Sequence, residues 1–189
     1  MADAVVPISY AVKGWQHAHA LAAYKSKFPS QRSQTALLNL LLLFLTDHHG
    51  CIADAARVTR WSHVAVVPST RGRQGTHPLR VLVGDRMRFS WAELIANPEI
   101  SPGLREFHPD RFAAPPGGLD DATVLLLDDT WTTGARVQSA SYALKRGGAA
   151  RVAAIVLGRH ANPGYDGWKP ILRSIKDQPY RQECCAVHV

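Results

Sequence analysis

Asp128 and Asp129 are adjacent carboxylates that follow four apolar residues, Val124, Leu125, Leu126 and Leu127, and precede Thr130, Trp131, Thr132, Thr133 and Gly134. Two neighbouring carboxylates repel, and both stay ionised only where a cation or several hydrogen-bond donors stand beside them. A sugar diol with a divalent cation nearby supplies such partners. The Thr/Gly run has the composition of a turn whose backbone N–H groups converge on an anion at the start of a helix. The hydroxyls of Thr132 and Thr133 add donors, each worth roughly 1.5–3 kcal/mol toward a charged group. Together these residue types suit the capture of a phosphorylated sugar.

Such chemistry needs elements to hold it. The run Val124–Leu127 has the length and branching of a central strand buried on both faces, and open α/β sheets place ligands in the crevice at the carboxyl ends of their strands. The spacing of Val137, Ala140 and Leu144 predicts a helix over Ala135–Arg146, stopped by Gly147 and Gly148. Arg151–Leu157 reads as a further buried strand, so that strand, loop, helix and strand form a parallel crossover. Upstream, His63–Val67 reads as a second strong strand ending in PSTRGRQG. No Gly-Lys-Ser/Thr P-loop and no G-x-G-x-x-G follows a strand.

The stretch VLLLDDTWTTGARV resembles the ribose-phosphate signature of the type I phosphoribosyltransferases, enzymes that use 5-phosphoribosyl-1-pyrophosphate (PRPP) with Mg²⁺ and release pyrophosphate. The resemblance implies an α/β fold: an open, mainly parallel twisted sheet flanked by helices, with a small variable hood. It implies that Asp128 and Asp129 hold the ribose hydroxyls and Mg²⁺, directly or through water, and stabilise positive charge on the ring. Thr130, Trp131, Thr132, Thr133, Gly134, Ala135 and Arg136 would line the ribose-phosphate side. Ser69, Thr70, Arg71 and Gly72 fall where the family binds pyrophosphate, about sixty residues before the signature; Arg71 suits a planar, bidentate grip on a diphosphate, and a basic surface turn is the plainer reading.

Two positions depart from the family pattern. Arg136 stands where a Thr or other small residue is usual, and either grips phosphate in a bidentate manner or points outward. Thr132 stands where the enzymes acting on 6-oxopurines carry an aspartate, which argues against hypoxanthine or guanine as acceptor. The acceptor base or amine is left open; Thr130 and Trp131, near the base side of the loop, are candidates to contact it, and Trp131 alternatively packs beneath the loop.

The resemblance implies one domain over residues 1–189, with the core at about 36–157 and a hood drawn from 1–30 and from 158–189, where Tyr165, Trp168 and Lys169 either extend the hood or cover a sheet edge. The stretch YAVKGWQHAHALAAYK is loosely similar to the hood region of the ComF-like branch, which places the resemblance near the ComF-like and amidophosphoribosyltransferase-like enzymes, although the four-cysteine zinc ribbon common there is absent; the plainer reading is that His17 and His19, two apart, lie on different faces of a helix and neither does chemistry. Leu37–Leu45 reads as a buried helix, Ile52–Val58 as a shorter one, Leu79–Val83 as a strand, and Arg86–Ala96 as a helix or strand. Asn97–Asp121, with five prolines, corresponds to the flexible catalytic loop of the family, in which Arg105, His108 and Arg111 are candidates to meet the leaving pyrophosphate.

Composition narrows the class. A chain of 189 residues with 46% hydrophobic content suffices to bury about 70% of its unfolded surface. The Leu37–Leu45 run falls short of the roughly 20 residues of a membrane span, and MADAVVPISYAVKG has neither the basic start nor the apolar core of a signal peptide. Three cysteines, Cys51, Cys184 and Cys185, are an odd count suited to a reducing cytoplasm. Cys184, Cys185 and His188 could be imagined as metal ligands, but the sequence shows no second ligand pair at zinc spacing, and a partly buried tail is the preferred reading. The formal charge of +7 comes from scattered basic residues; it suits a polyphosphate substrate and leaves nucleic acid possible without favouring it. A homodimer is compatible with the chain. The rival to a phosphoribosyltransferase is a non-catalytic PRPP or nucleotide-binding regulator, or a ComF-like nucleic-acid-associated protein, on the same fold.

Overall fold

The computed structural model describes residues 1–71, 75–176 and 181–187, without the side chain of Asp85. Gly72 and His188, both singled out above, lie outside the described residues.

The elements run in the order β1 (Ala4–Pro7), β2 (Tyr10–Val12), α1 (Gln16–Ala23), α2 (Gln31–Ala56), β3 (His63–Val66), α3 (Pro78–Val83), β4 (Ser90–Trp91), β5 (Ile95–Ala96), β6 (Phe112–Ala113), β7 (Thr123–Trp131), α4 (Ala135–Arg146), β8 (Arg151–Ala161) and α5 (Lys169–Lys176). The main sheet is ordered β1-β8-β7-β3-β4, with β2 also pairing to β8, and its pairings are parallel. Helices cover both faces, as a parallel sheet requires. Leu125 and Leu127 of β7 pack with α1, α2 and α3, whereas Val124 and Leu126, on the opposite face, pack with Val137, Ala140 and Leu144 of α4. The fold is an open, mainly parallel α/β sheet flanked by helices.

Several local expectations change. The segment 1–30 contributes two sheet strands, β1 and β2, beside β8, so only its second half stands above the sheet. The two helices expected over Leu37–Leu45 and Ile52–Val58 are one, α2, of 26 residues. Ser30 caps it by accepting from the Ser33 N–H, and Arg57 ends it in the left-handed conformation. By length and composition α2 is long and apolar enough to cross a bilayer. Here Leu37, Leu41, Phe44, His48 and Ile52 form a buried stripe at helical spacing, packed toward β8 and β1.

Leu79–Val83 is helical and not a strand. Pro78 occupies the first turn, where its missing N–H costs nothing, and His77 accepts from the Leu79 N–H through Nδ1 at 3.2 Å. Leu79 and Val83, four apart, are buried while Val81 is exposed, so the short apolar run has a helical period. The Arg86–Ala96 region is mostly irregular, with β4 at the sheet edge and β5 pairing antiparallel to β6 across the long loop. Beyond β8, Trp168 meets Tyr10 edge-on with ring centroids 6.1 Å apart, so this segment covers the β2 edge.

Candidate functional site

Strand β7 is longer than its apolar run: it continues through both aspartates to Trp131, paired with β8 as far as Arg159. On the other side, the β3 ladder ends at Val66 opposite Leu127, with one further bond from the Val67 N–H to the Leu127 carbonyl. A crevice therefore opens beside β7 where Asp128 begins. Both aspartates are within the strand, and the carboxyl edge beside them is that of β3.

Because successive strand side chains point to opposite faces, the two carboxylates enter different environments. Asp129 shares its face with Leu125 and Leu127 and meets α1. The Tyr24 hydroxyl donates to Asp129 Oδ2 at 2.7 Å, and Lys25 Nζ lies 2.8 Å from the same oxygen. Burial alone pushes the Asp129 carboxyl up, but the Lys25 charge and the hydrogen bonds from Lys25, Tyr24 and Thr130 outweigh it and hold it below the usual range. Asp128, on the α4 face, is 2% exposed and accepts from the Asp129 N–H at 2.9 Å. Burial and the Asp129 charge push it up to about 7, against the pull of Arg136, the Asp129 N–H and Lys25.

The reach of α1 depends on Gly158. A Cβ there would stand 2.5 Å from Leu21 Cδ1 and 2.9 Å from Ala11 Cβ, so glycine lets the helix lie close over β8. His17 pins it by donating from Nε2 to the Leu157 carbonyl at 2.9 Å. Burial lowers the His17 pKa, against the pull of the hydrogen bond to the Leu157 carbonyl.

Past Trp131 the chain turns through Gly134, whose φ of 80° favours glycine. A Cβ on Gly134 would come within 2.8 Å of the Trp131 indole nitrogen. Trp131 thus packs beneath the loop. Gly134, the N-cap of α4, supplies no side-chain cap, and Thr133 Oγ1 accepts at 3.4 Å from the Ala135 N–H; helix N-termini without a side-chain cap favour anions. Thr133 is committed to the loop opposite, donating to the Arg105 carbonyl at 2.8 Å, while Thr132 is exposed. Arg136 points inward: its Nη2 donates to the Pro68 carbonyl at 3.0 Å, tying α4 to the turn that carries Ser69, and its buried Nε has no protein partner.

These elements enclose a cleft of about 830 Å³. Ser69, Thr70, Arg71 and the whole segment from Asp128 to Arg136 line it. Of the three loop candidates, only Arg105 does so. His108 is held through its N–H by Ser139 Oγ at 3.0 Å. Arg111 is buried and donates to the Leu104 carbonyl at 2.9 Å, fastening the loop from within.

Ala22, Lys25, His77 and the Pro102–Leu104 turn also line the cleft and were not singled out in the sequence. Lys25 was within reach of such a reading: it follows Tyr24 at the end of an amphipathic stretch, but nothing local shows that this end faces a strand a hundred residues away.

No family model matches the chain, and no curated protein matches it. Among solved structures it is similar to a purine phosphoribosyltransferase from Pyrococcus horikoshii Ot3, at 14% identity over 86% of this chain and 94% of that one, with a TM-score of 0.38. A likeness that loose carries no argument about the site.

Proposed function

We propose that the cleft binds PRPP and transfers its phosphoribosyl group to a nitrogenous acceptor, releasing pyrophosphate. One observation carries the reading: two buried carboxylates at the end of β7 stand next to an uncapped helix N-terminus, in one cleft with Arg71, Arg105 and Arg136. Carboxylates suit ribose hydroxyls, the helix N-terminus suits the 5′-phosphate, and the arginines suit a diphosphate.

The acceptor nitrogen supplies the electron pair for the new bond to ribose C1, the C1–oxygen bond breaks, and pyrophosphate leaves with its electrons. The acceptor's displaced proton passes to solvent. Little covalent chemistry falls to the protein, so position and electrostatics set the rate. Asp128 and Asp129 orient the ribose and offset positive charge as it grows on the ring. Arg71 and Arg105 offset the charge of the departing diphosphate, and the cleft walls limit water.

The donor set fits Mg²⁺, a hard cation bound by oxygen. A carboxyl held near 7 beside a second carboxylate is a site where a dication would favour ionisation. Asp128, and Asp129 through the substrate hydroxyls, would hold it. Mg²⁺ when bound would neutralise diphosphate charge.

Replacing both aspartates, Asp128→Asn with Asp129→Asn, should lower pyrophosphate release from PRPP and Mg²⁺, measured over a panel of bases and amines, by at least about a thousandfold. The circular dichroism spectrum should remain that of the folded protein. Wild-type turnover in the double variant would sink the assignment. A second reading, a PRPP-binding regulator, is favoured by one observation: Asp129 is already satisfied by Lys25 and Tyr24. PRPP binding that depends on both aspartates, with no acceptor consumed, would decide for it.

A further inference from the structure

Helix α2 presents His48 and Cys51, three residues apart and hence on one face, to Cys185 of the C-terminal segment. The two cysteines stand as thiols. His48 is 3% exposed and Cys185 6%. The His48 Nδ1 lies 3.8 Å from the Cys51 Sγ, and the ligand atoms of all three residues are within 4.8 Å of one another. The His48 ring is held in place by Phe44 one turn earlier, with ring centroids 4.9 Å apart.

We propose that His48, Cys51 and Cys185 form a zinc site that fastens the C-terminal segment to α2. In tetrahedral zinc sites the metal stands about 2.3 Å from sulfur and about 2.0–2.1 Å from nitrogen, which places neighbouring ligand atoms about 3.6 Å apart. The His48–Cys51 separation already matches that edge, and the 4.8 Å limit leaves a contraction of about an ångström at most. Thiolate with imidazole selects zinc over the hard cations that suit the carboxylate cleft. A water completes the coordination. Cys185, which has no second ligand pair at zinc spacing in the sequence, meets one in α2, with Cys51 134 residues earlier in the chain. The site sits in the half of α2 that leads to the start of β3, whereas the cleft lies at the carboxyl edge of β3, so its role is structural and independent of the PRPP reading.

The test uses the full chain, reduced with a phosphine, dialysed against chelator and given zinc chloride alone. Gel-filtered protein should retain one zinc per chain, and its melting temperature should rise by several degrees. Cobalt in place of zinc should give thiolate charge-transfer and tetrahedral visible bands. Cys51→Ser and Cys185→Ser should each lose the bound metal and the bands, while Cys184→Ser keeps both. Because the first two variants could misfold, the wild type also carries the test: zinc should protect Cys51 and Cys185 from iodoacetamide, read by mass spectrometry, and leave Cys184 reactive. Zinc retention no greater than that of the Cys51→Ser/Cys185→Ser double variant would overturn the site. So would zinc that leaves all three thiols equally reactive, or a Cys51–Cys185 disulfide forming in air at a rate zinc does not slow.

Discussion

The two faces of β7 treat adjacent carboxylates in opposite ways. On the α1 face, Asp129 receives a cation and a buried hydroxyl from Lys25 and Tyr24, which hold its carboxyl below the usual carboxylate range. On the α4 face, Asp128 receives one backbone N–H and the more diffuse attraction of Arg136, and its carboxyl is pushed up to about 7. The protein has completed one carboxylate and left the other short of positive charge. A ligand that brings a cation gains most from Asp128, whereas Asp129 is preorganised and changes least on binding.

The largest expected effect is a difference in sign between two isosteric substitutions. A carboxyl whose folded pKa is raised binds its proton more tightly in the folded state. Wild-type stability should therefore fall as pH rises from the ordinary value of 3.8 to about 7 on account of Asp128. Asp128→Asn keeps an oxygen for the Asp129 N–H and removes the charge, so above pH 7, without divalent cation, it should stabilise the protein by on the order of 1–3 kcal/mol. Asp129→Asn removes the partner of Lys25 and should destabilise by about the same amount. Urea unfolding of both variants across pH measures this; equal signs at pH 8 would break the comparison.

That asymmetry was only half legible in the sequence. Repulsion between Asp128 and Asp129, and the need for a cation or donors beside them, follow from adjacency alone. The strand, the anion-binding turn and α4 follow from local pattern, since Val124–Leu127 is apolar throughout and Val137, Ala140 and Leu144 recur at helical spacing. The partners of Asp129 come from long-range packing: Tyr24 lies 105 residues away, and its position depends on Gly158 admitting α1 close to β8. Leu79–Val83 misled for the opposite reason, because a mostly apolar run of five residues fits a buried strand and a helix turn equally until Pro78 and the exposure of Val81 decide. The inward course of Arg136 needed the Pro68 carbonyl, which only the assembled sheet brings beside α4.

A smaller effect should follow from Lys25→Met, which preserves the apolar stem and removes the charge. The Lys25 side chain is 35% exposed, so solvent screening limits its share of stability to about 1 kcal/mol. The more telling readout is pH. Without Lys25 the Asp129 carboxyl rises toward that of Asp128, and both must then lose a proton to receive PRPP with Mg²⁺. The acid limb of PRPP binding should move to higher pH than in the wild type. An unmoved limb would mean that Lys25 does not set the charge of Asp129 in the presence of ligand.

Tyr24→Phe should disturb the charge of Asp129 least, because it deletes one donor to Asp129 and leaves Lys25 in place. Tyr24 is fully buried, and phenylalanine preserves its packing, so the cost should be close to that of one hydrogen bond to a charged acceptor, about 1–2 kcal/mol. The sign with pH follows from the lowered Asp129 pKa: stabilisation of its ionised form is fully present above pH 3.8 and is lost as pH falls through the folded value. The stability gap between Tyr24→Phe and wild type should therefore be constant through neutral pH and narrow only in strong acid. Asp128→Asn should show the reverse, its gap opening between pH 4 and 7 and holding above. A Tyr24→Phe gap that instead changed near pH 7 would place the Tyr24 hydroxyl in the titration of Asp128, and join the two faces that β7 otherwise keeps apart.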